Sequence, residues 1–174
     1  MEILKSDLLF ERKLKATLPH LESYTALCVA HGSAWPESLH FSGAVWTAGL
    51  STWRQLAQRG VWVNGSSEGL GENEDPRLNR LAPSLNWATL SHSQAAAGER
   101  GPIIATYELV AKTHVTAPRG ESLHWTSGVL FEEALRRWPD LKNRRHSCGP
   151  GKTWEIVQRH IPNVEIRWPI KGKA

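Results

Sequence analysis

Apolar residues in this chain gather in short blocks bounded by Gly, Ser, Asn or Pro, and the blocks alternate with stretches whose apolar positions recur at helical spacing. Residues 24–30 (YTALCVA) form a short apolar run of the kind that makes a buried strand, with the turn-like His31-Gly32-Ser33 behind it. Residues 43–47 (GAVWT) repeat the pattern. Leu50, Trp53, Leu56 and Ala57 then share one helical face, and Gly60 stands where a C-terminal cap belongs, so the spacing predicts a helix over 50–58. A short strand is predicted at 61–63, and two more at 87–90 and 103–110, separated by the small-residue stretch 91–101.

Residues 65–83 are rich in Gly, Ser, Asn, Asp and Glu, with Leu70, Leu78 and Leu81 as apolar anchors, which reads as a loop with one short helix connecting two lobes. The second half runs strand 123–125, helix 130–138, strand 146–148, helix 153–161 and strand 164–168. Strands alternating with helices imply βαβ units and a mostly parallel sheet, so the fold class is α/β. A weak internal repeat supports two similar halves. Gly49-Leu50-Ser51-Thr52-Trp53 and Gly149-Pro150-Gly151-Lys152-Thr153-Trp154 each follow a predicted strand and open a helix containing Gln-Arg.

A chain of 174 residues accommodates one domain or two small lobes, and 40% hydrophobic with 22% charged residues is a folded composition rather than a disordered one. The net charge of +4 suits an acidic ligand without choosing one. Nine Trp are spread evenly, which fits core and edge packing better than a stacking platform for bases. Lys and Arg are scattered and no nucleic-acid motif is present, so no nucleic-acid partner is expected. Cys28 and Cys148 lie far apart in apolar contexts and read as reduced, buried thiols, and no export signal or membrane span is seen, so a cytoplasmic location is expected. The histidines show no metal-binding spacing, and neither a metal nor a Ser-His-Asp hydrolase is expected.

The chemistry is concentrated in turns that leave a strand and enter a helix, where free backbone N–H groups and the helix dipole attract anions. Ser51 and Thr52 stand at the first such turn, and Lys152 and Thr153 stand beside Gly149 and Gly151 at the second. The alternative for each hydroxyl is simple helix capping. Residues 146–153 (HSCGPGKT) end as a phosphate loop does, but His146 occupies its first glycine position and Pro150 removes a donor, which argues against a nucleotide site. Ser33, Ser66 and the pair Thr126-Ser127 mark further hydroxyl-bearing strand ends. Tyr107 is read either as packing or as chemistry.

In order, Gly32-Ser33, Gly49-Leu50-Ser51-Thr52, Ser66-Ser67-Glu68-Gly69-Leu70, Thr106-Tyr107, Thr126-Ser127 and the turn 149–153 resemble the motif succession of the uroporphyrinogen-III synthase family. That succession is a Thr-Ser strand end, a Gly-Pro-x-Thr turn, a Ser-x-Glu-Gly-Leu-like segment, a Val-Tyr strand, and a second Thr-Ser and Gly-Pro-x-Thr. The resemblance spans residues 18–168. It departs where Gly32 replaces Thr, where Leu50 replaces Pro, and where the second turn carries one extra residue.

The resemblance implies two small α/β lobes with mostly parallel sheets flanked by helices and a cleft between them. Residues 24–104 would form the first lobe, and residues 1–23 with 105–174 an N-terminally shortened second. It implies a lyase without cofactors that converts hydroxymethylbilane to uroporphyrinogen III, with loss of water and inversion of the D ring. A non-catalytic tetrapyrrole-binding or interaction module of the same fold is the alternative. Tyr107 would assist departure of the hydroxyl, and Ser33, Ser51, Thr52, Ser66, Thr126, Ser127, Gly149, Lys152 and Thr153 would hold the carboxylates of the linear tetrapyrrole. Hydroxymethylbilane synthase is the candidate protein partner.

Overall fold

The computed structural model describes residues 1–16, 20–67, 84–95 and 100–167. The chain is α/β, with mostly parallel sheets flanked by helices, and it divides into two units: Met1–Glu11 with Val110–Ala174, and Arg12–Leu109. After β1 (Glu2–Leu4) the chain passes into the Arg12–Leu109 unit along β2 (Phe10–Leu14). These two strands lie where the hydrophobic pattern assigned no element.

The sheet of the Arg12–Leu109 unit is built from β3 (Ala26–Val29), β4 (Ala44–Thr47), β5 (Gly65–Ser66), β6 (Trp87–His92) and β7 (Ile103–Ala111), in the order β2-β7-β6-β3-β4-β5. Neighbours from β7 to β5 are parallel. At the β2 edge, Lys15 N–H donates to Thr106 O at 2.9 Å and Lys112 N–H to Leu9 O at 2.8 Å. One residue number rises as the other falls, so this pair is antiparallel. β3 is central and buried at every position, which is why it reads as unbroken apolar sequence.

The pleat sends Leu27 and Val29 to one face, where they pack with Val45, Leu56 and Leu90, and sends Ala26 and Cys28 to the other, with Trp87. Each fully buried aliphatic side chain contributes about 1.5–3 kcal/mol. Helix α1 (Leu50–Gln58) covers the first face through Leu56 and Thr52. It ends as its sequence predicts, with Gly60 at φ 78 and its N–H donating to Ala57 O at 3.0 Å. The strand expected at 61–63 is not there. Asn64 accepts the Val45 N–H on its side chain and donates its own N–H to Val45 O, both at 2.8 Å, so strand pairing begins only at Gly65. Val63 is buried and Trp62 is 82% exposed, an alternation without a ladder. The predicted short helix within 65–83 lies outside the described residues, as does Trp168.

The other unit has a four-stranded parallel sheet, ordered β1-β8-β9-β10, from β1, β8 (Ser122–Trp125), β9 (Arg145–Cys148) and β10 (Glu165–Ile166). Helix α2 (Gly128–Arg137) joins β8 to β9, and α3 (Lys152–His160) joins β9 to β10. α2 buries Leu130, Phe131, Ala134 and Leu135, a stripe at helical spacing. Its other side carries Glu133, whose carboxylate takes 2.8 Å bonds from Arg136 and a 2.6 Å bond from Arg137. Those bonds, Arg136 first, hold the Glu133 carboxyl down to about 2. The two helices meet where a side chain on Gly128 would strike Ile156. No described helix is long and apolar enough to cross a membrane.

Candidate functional site

In each unit the parallel strands deliver their carboxyl ends to one edge, and the expected hydroxyls collect there. In the unit containing β8 and β9, these strands are neighbours in register, with Trp125 opposite Cys148. The starts of α2 and α3 therefore share that edge. Ser127 is the N-cap of α2 and Gly151 that of α3, and neither helix has a side-chain capping bond. Their first N–H groups lack the acceptor a capping side chain would supply, and they lie beside Ser127, Lys152 and Thr153, which are all half-buried.

Thr126 differs from its neighbours. Its hydroxyl donates to Leu4 O at 2.8 Å and its N–H to the same oxygen at 3.2 Å, so it ties β8 to the end of β1. Gly149 opens onto free space, where a Cβ would touch nothing within 4 Å. Gly151 sits at φ 87 and ψ −153, a backbone that only glycine adopts readily. The phosphate-loop reading fails on the backbone as well as the sequence: β9 runs through His146 to Cys148, leaving only Gly149, Pro150 and Gly151 before α3.

In the Arg12–Leu109 unit, Ser33 lies in a 3-10 turn (Gly32–Ala34) after β3, Ser51 and Thr52 open α1 after β4, and Ser66 ends β5. β3, β4 and β5 are neighbours, so these four hydroxyls also share an edge. The turn after β3 is held by His31 Nδ1, which accepts the Ser33 N–H at 3.0 Å, and by Arg59, which donates to Gly32 O at 3.1 Å and Trp35 O at 2.9 Å. α1 has no side-chain cap.

Ser51 is exposed, while Thr52 is buried and turned inward, its hydroxyl 3.4 Å from Ala30 O. The two turns of the internal repeat align by their first helical bonds, Trp53 N–H to Gly49 O and Glu155 N–H to Gly151 O. On that alignment Ser51, not Thr52, matches Thr153. The shared Thr-Trp dipeptide is offset by one residue, which is the extra residue in the second turn.

Tyr107 lies in the core of its unit, 3% exposed among Leu27, Val29 and Leu90. Its ring centroid is 5.8 Å from that of His92, its register partner after a bulge at Thr106 in β7.

Two features escape the reading of strand ends and helix starts. Arg100 is 6% exposed and bonds inward, yet it sits in a Gly- and Ala-rich connection where nothing but its charge marks it. Gly65-Ser66-Ser67-Glu68-Gly69 carries the G-x-S-x-G spacing of a nucleophile elbow. Ser67 is buried, its Oγ accepts from Arg100 and Trp46, and among the described residues no histidine bonds to it as a base would. Among the described residues no group of three His, Cys, Asp or Glu could hold a metal ion.

No family model and no curated protein matches the chain. Among solved structures it is similar to a mutant uroporphyrinogen III synthase from the extremely thermophilic bacterium Thermus thermophilus, with 12% identity, 83% of this chain and 71% of that chain covered, and a TM-score of 0.49.

Proposed function

We propose that this chain is a lyase of the uroporphyrinogen-III synthase type, acting on the linear tetrapyrrole hydroxymethylbilane. The observation that carries the reading is the edge shared by Ser127, Lys152 and Thr153, where two helices begin side by side with no side-chain caps. The order of motifs along the sequence supports it, and so does the second hydroxyl-bearing edge at Ser33, Ser51 and Ser66.

The substrate's carboxylates would accept hydrogen bonds from the helix amides and hydroxyls, with Lys152 as an ion-pair partner. The net charge of +4 favours a polyanion. Loss of the substrate hydroxyl as water is driven by the electron-rich pyrrole. The protein's work is then to hold the chain ends in the geometry from which the D ring inverts, and to keep water from the azafulvene. Tyr107, by the resemblance, would give a hydrogen bond to the departing hydroxyl.

The burial of Tyr107, 3% exposed among apolar side chains, favours a second reading, a non-catalytic tetrapyrrole-binding module of the same fold. Purified protein given fresh hydroxymethylbilane separates the two. The lyase yields the type III isomer faster than the spontaneous reaction yields type I. Type I alone, with the substrate still bound, assigns the chain to the second reading.

A further inference from the structure

In the Arg12–Leu109 unit, Arg100 lies against the sheet face that carries Ala26, Cys28, Trp46 and Trp87. Nη1 stands 3.1 Å from Cys28 Sγ, and Nη2 donates to Ser67 Oγ at 2.9 Å. Ser67 Oγ also accepts the Trp46 indole N–H at 3.2 Å, and Arg100 Nε is buried with no hydrogen-bond partner. A guanidinium cannot shed its proton inside a protein. Burying one is costly unless an anion compensates it. The ion pairs found among the described residues all lie elsewhere, at Glu133 and Glu165.

Of the two side chains that Arg100 bonds, the Ser67 hydroxyl titrates far above neutrality and is already shared with Trp46. Cys28 is the one able to carry a negative charge. The register partners of Cys28 on the two neighbouring strands, Trp46 on β4 and Thr89 on β6, are both uncharged, and among the described residues the connection before β7 brings Arg100 to the sulfur.

We propose that Cys28 is a thiolate at neutral pH, ion-paired with Arg100, and that the pair anchors the Ser67 turn at the end of β5. Cys148 supplies the contrast within the same chain. It is equally buried, and burial pushes its thiol up to about 11. Protonating Cys28 would leave the guanidinium uncompensated and weaken the hold on Ser67, next to the hydroxyl of Ser66. The inference is independent of the tetrapyrrole reading.

The test is the ultraviolet absorbance of thiolate in the folded protein. At about pH 7, wild type and Cys148→Ser should both show the thiolate band and Cys28→Ser should lack it, as for thiols lowered by a neighbouring cation. Arg100→Gln should raise the midpoint of that band by roughly two pH units, and Arg100→Lys should raise it less. Absence of the band from wild type, or its persistence in Cys28→Ser, overturns the proposal. Should Arg100→Gln fail to fold, the comparison of wild type with Cys28→Ser decides alone.

Discussion

Trp125 donates its indole N–H to Nδ1 of His146 across 2.9 Å. An indole nitrogen only donates, so Nδ1 must accept, and the ring proton sits on Nε2, which donates to Leu141 O at 2.9 Å. Neutral His146 is thus fully bonded, its ring within 10° of parallel to Trp125 with 6.0 Å between centroids, and 4% exposed. A second proton would break the bond from Trp125 and charge a buried ring.

Burial, aided by the charge of Arg144, lowers the pKa of His146 despite opposing backbone hydrogen bonds, and burial with Arg167 lowers that of His124. Unfolded histidines take protons near pH ~6.5 while the folded ones still refuse them, so stability is fully present above that pH and is lost as pH falls through the lowered folded values. The urea midpoint should hold steady at neutral pH and above, then fall on acidification to about pH 5.5. His146→Gln, which can accept from Trp125 and donate to Leu141 without titrating, should flatten that fall. A midpoint insensitive to this pH range would mean that neither histidine resists protonation in the folded chain.

The contact between α2 and α3 allows a test of packing. A Cβ on Gly128 would lie 3.1 Å from Ile156 Cβ and 3.2 Å from its Cγ1, tighter than carbon contacts ordinarily run, and the Ile156 Cδ1 is nearer still, so Ile156 would have to shift. Gly128→Ala should therefore destabilise by about 1–3 kcal/mol although Ala is the better helix former. Adding Ile156→Ala to Gly128→Ala should cost less than Ile156→Ala costs alone, which a denaturant double-mutant cycle would read as coupling.

Much of the fold is visible in the sequence because buried parallel strands and amphipathic helices leave strong periodic marks. The run of elements from β8 to β10 was legible for that reason. The helix over 50–58 and its Gly60 cap were found too, but of the face that marked it Leu50, Trp53 and Ala57 are exposed and only Leu56 is buried, with Thr52 beside it. β1 and β2 were not, since Glu2-Ile3-Leu4 is too short for a period and the edge strand Phe10–Leu14 carries three charged residues in a row, Glu11, Arg12 and Lys13. At the site, the presence of hydroxyls at strand ends was legible, but not their direction. Thr52 and Thr126 point back to carbonyls of their own unit, a choice made by the neighbouring strand end rather than by the local motif.

The two glycines flanking Pro150 should behave in opposite ways. Gly149→Ala adds a methyl to open space and should leave thermal stability within about 0.5 kcal/mol of wild type. Gly151→Ala forces a side chain onto φ 87 and should cost about 1–3 kcal/mol, read as a lower melting temperature. Equal costs would mean that the turn before α3 rearranges freely.

Ser51 and Thr52 should also separate. Thr52→Val removes a buried donor to Ala30 O and should cost about 1 kcal/mol of stability. Ser51→Ala removes an exposed hydroxyl that takes a long 3.4 Å bond from Gln55, and should leave stability within about 0.5 kcal/mol. If the anion-binding reading is right, Ser51→Ala and Thr153→Ala should each weaken binding of hydroxymethylbilane several-fold with unchanged melting temperature. Weaker binding only in Thr52→Val would reverse the assignment drawn from aligning the two turns.

Tyr107→Phe tests whether a core residue takes part in chemistry. The ring stays packed against His92, so the substitution changes little but the hydroxyl, and stability should shift by about 1 kcal/mol or less. If the hydroxyl assists departure of the substrate's own hydroxyl, the rate of forming the type III isomer should fall about 100-fold or more, with substrate affinity retained. An unchanged rate leaves the tyrosine to packing and moves the search for a donor to the open amides at the starts of α2 and α3. Those amides need no titratable side chain to polarise a leaving oxygen, and a rate independent of Tyr107 would be their signature.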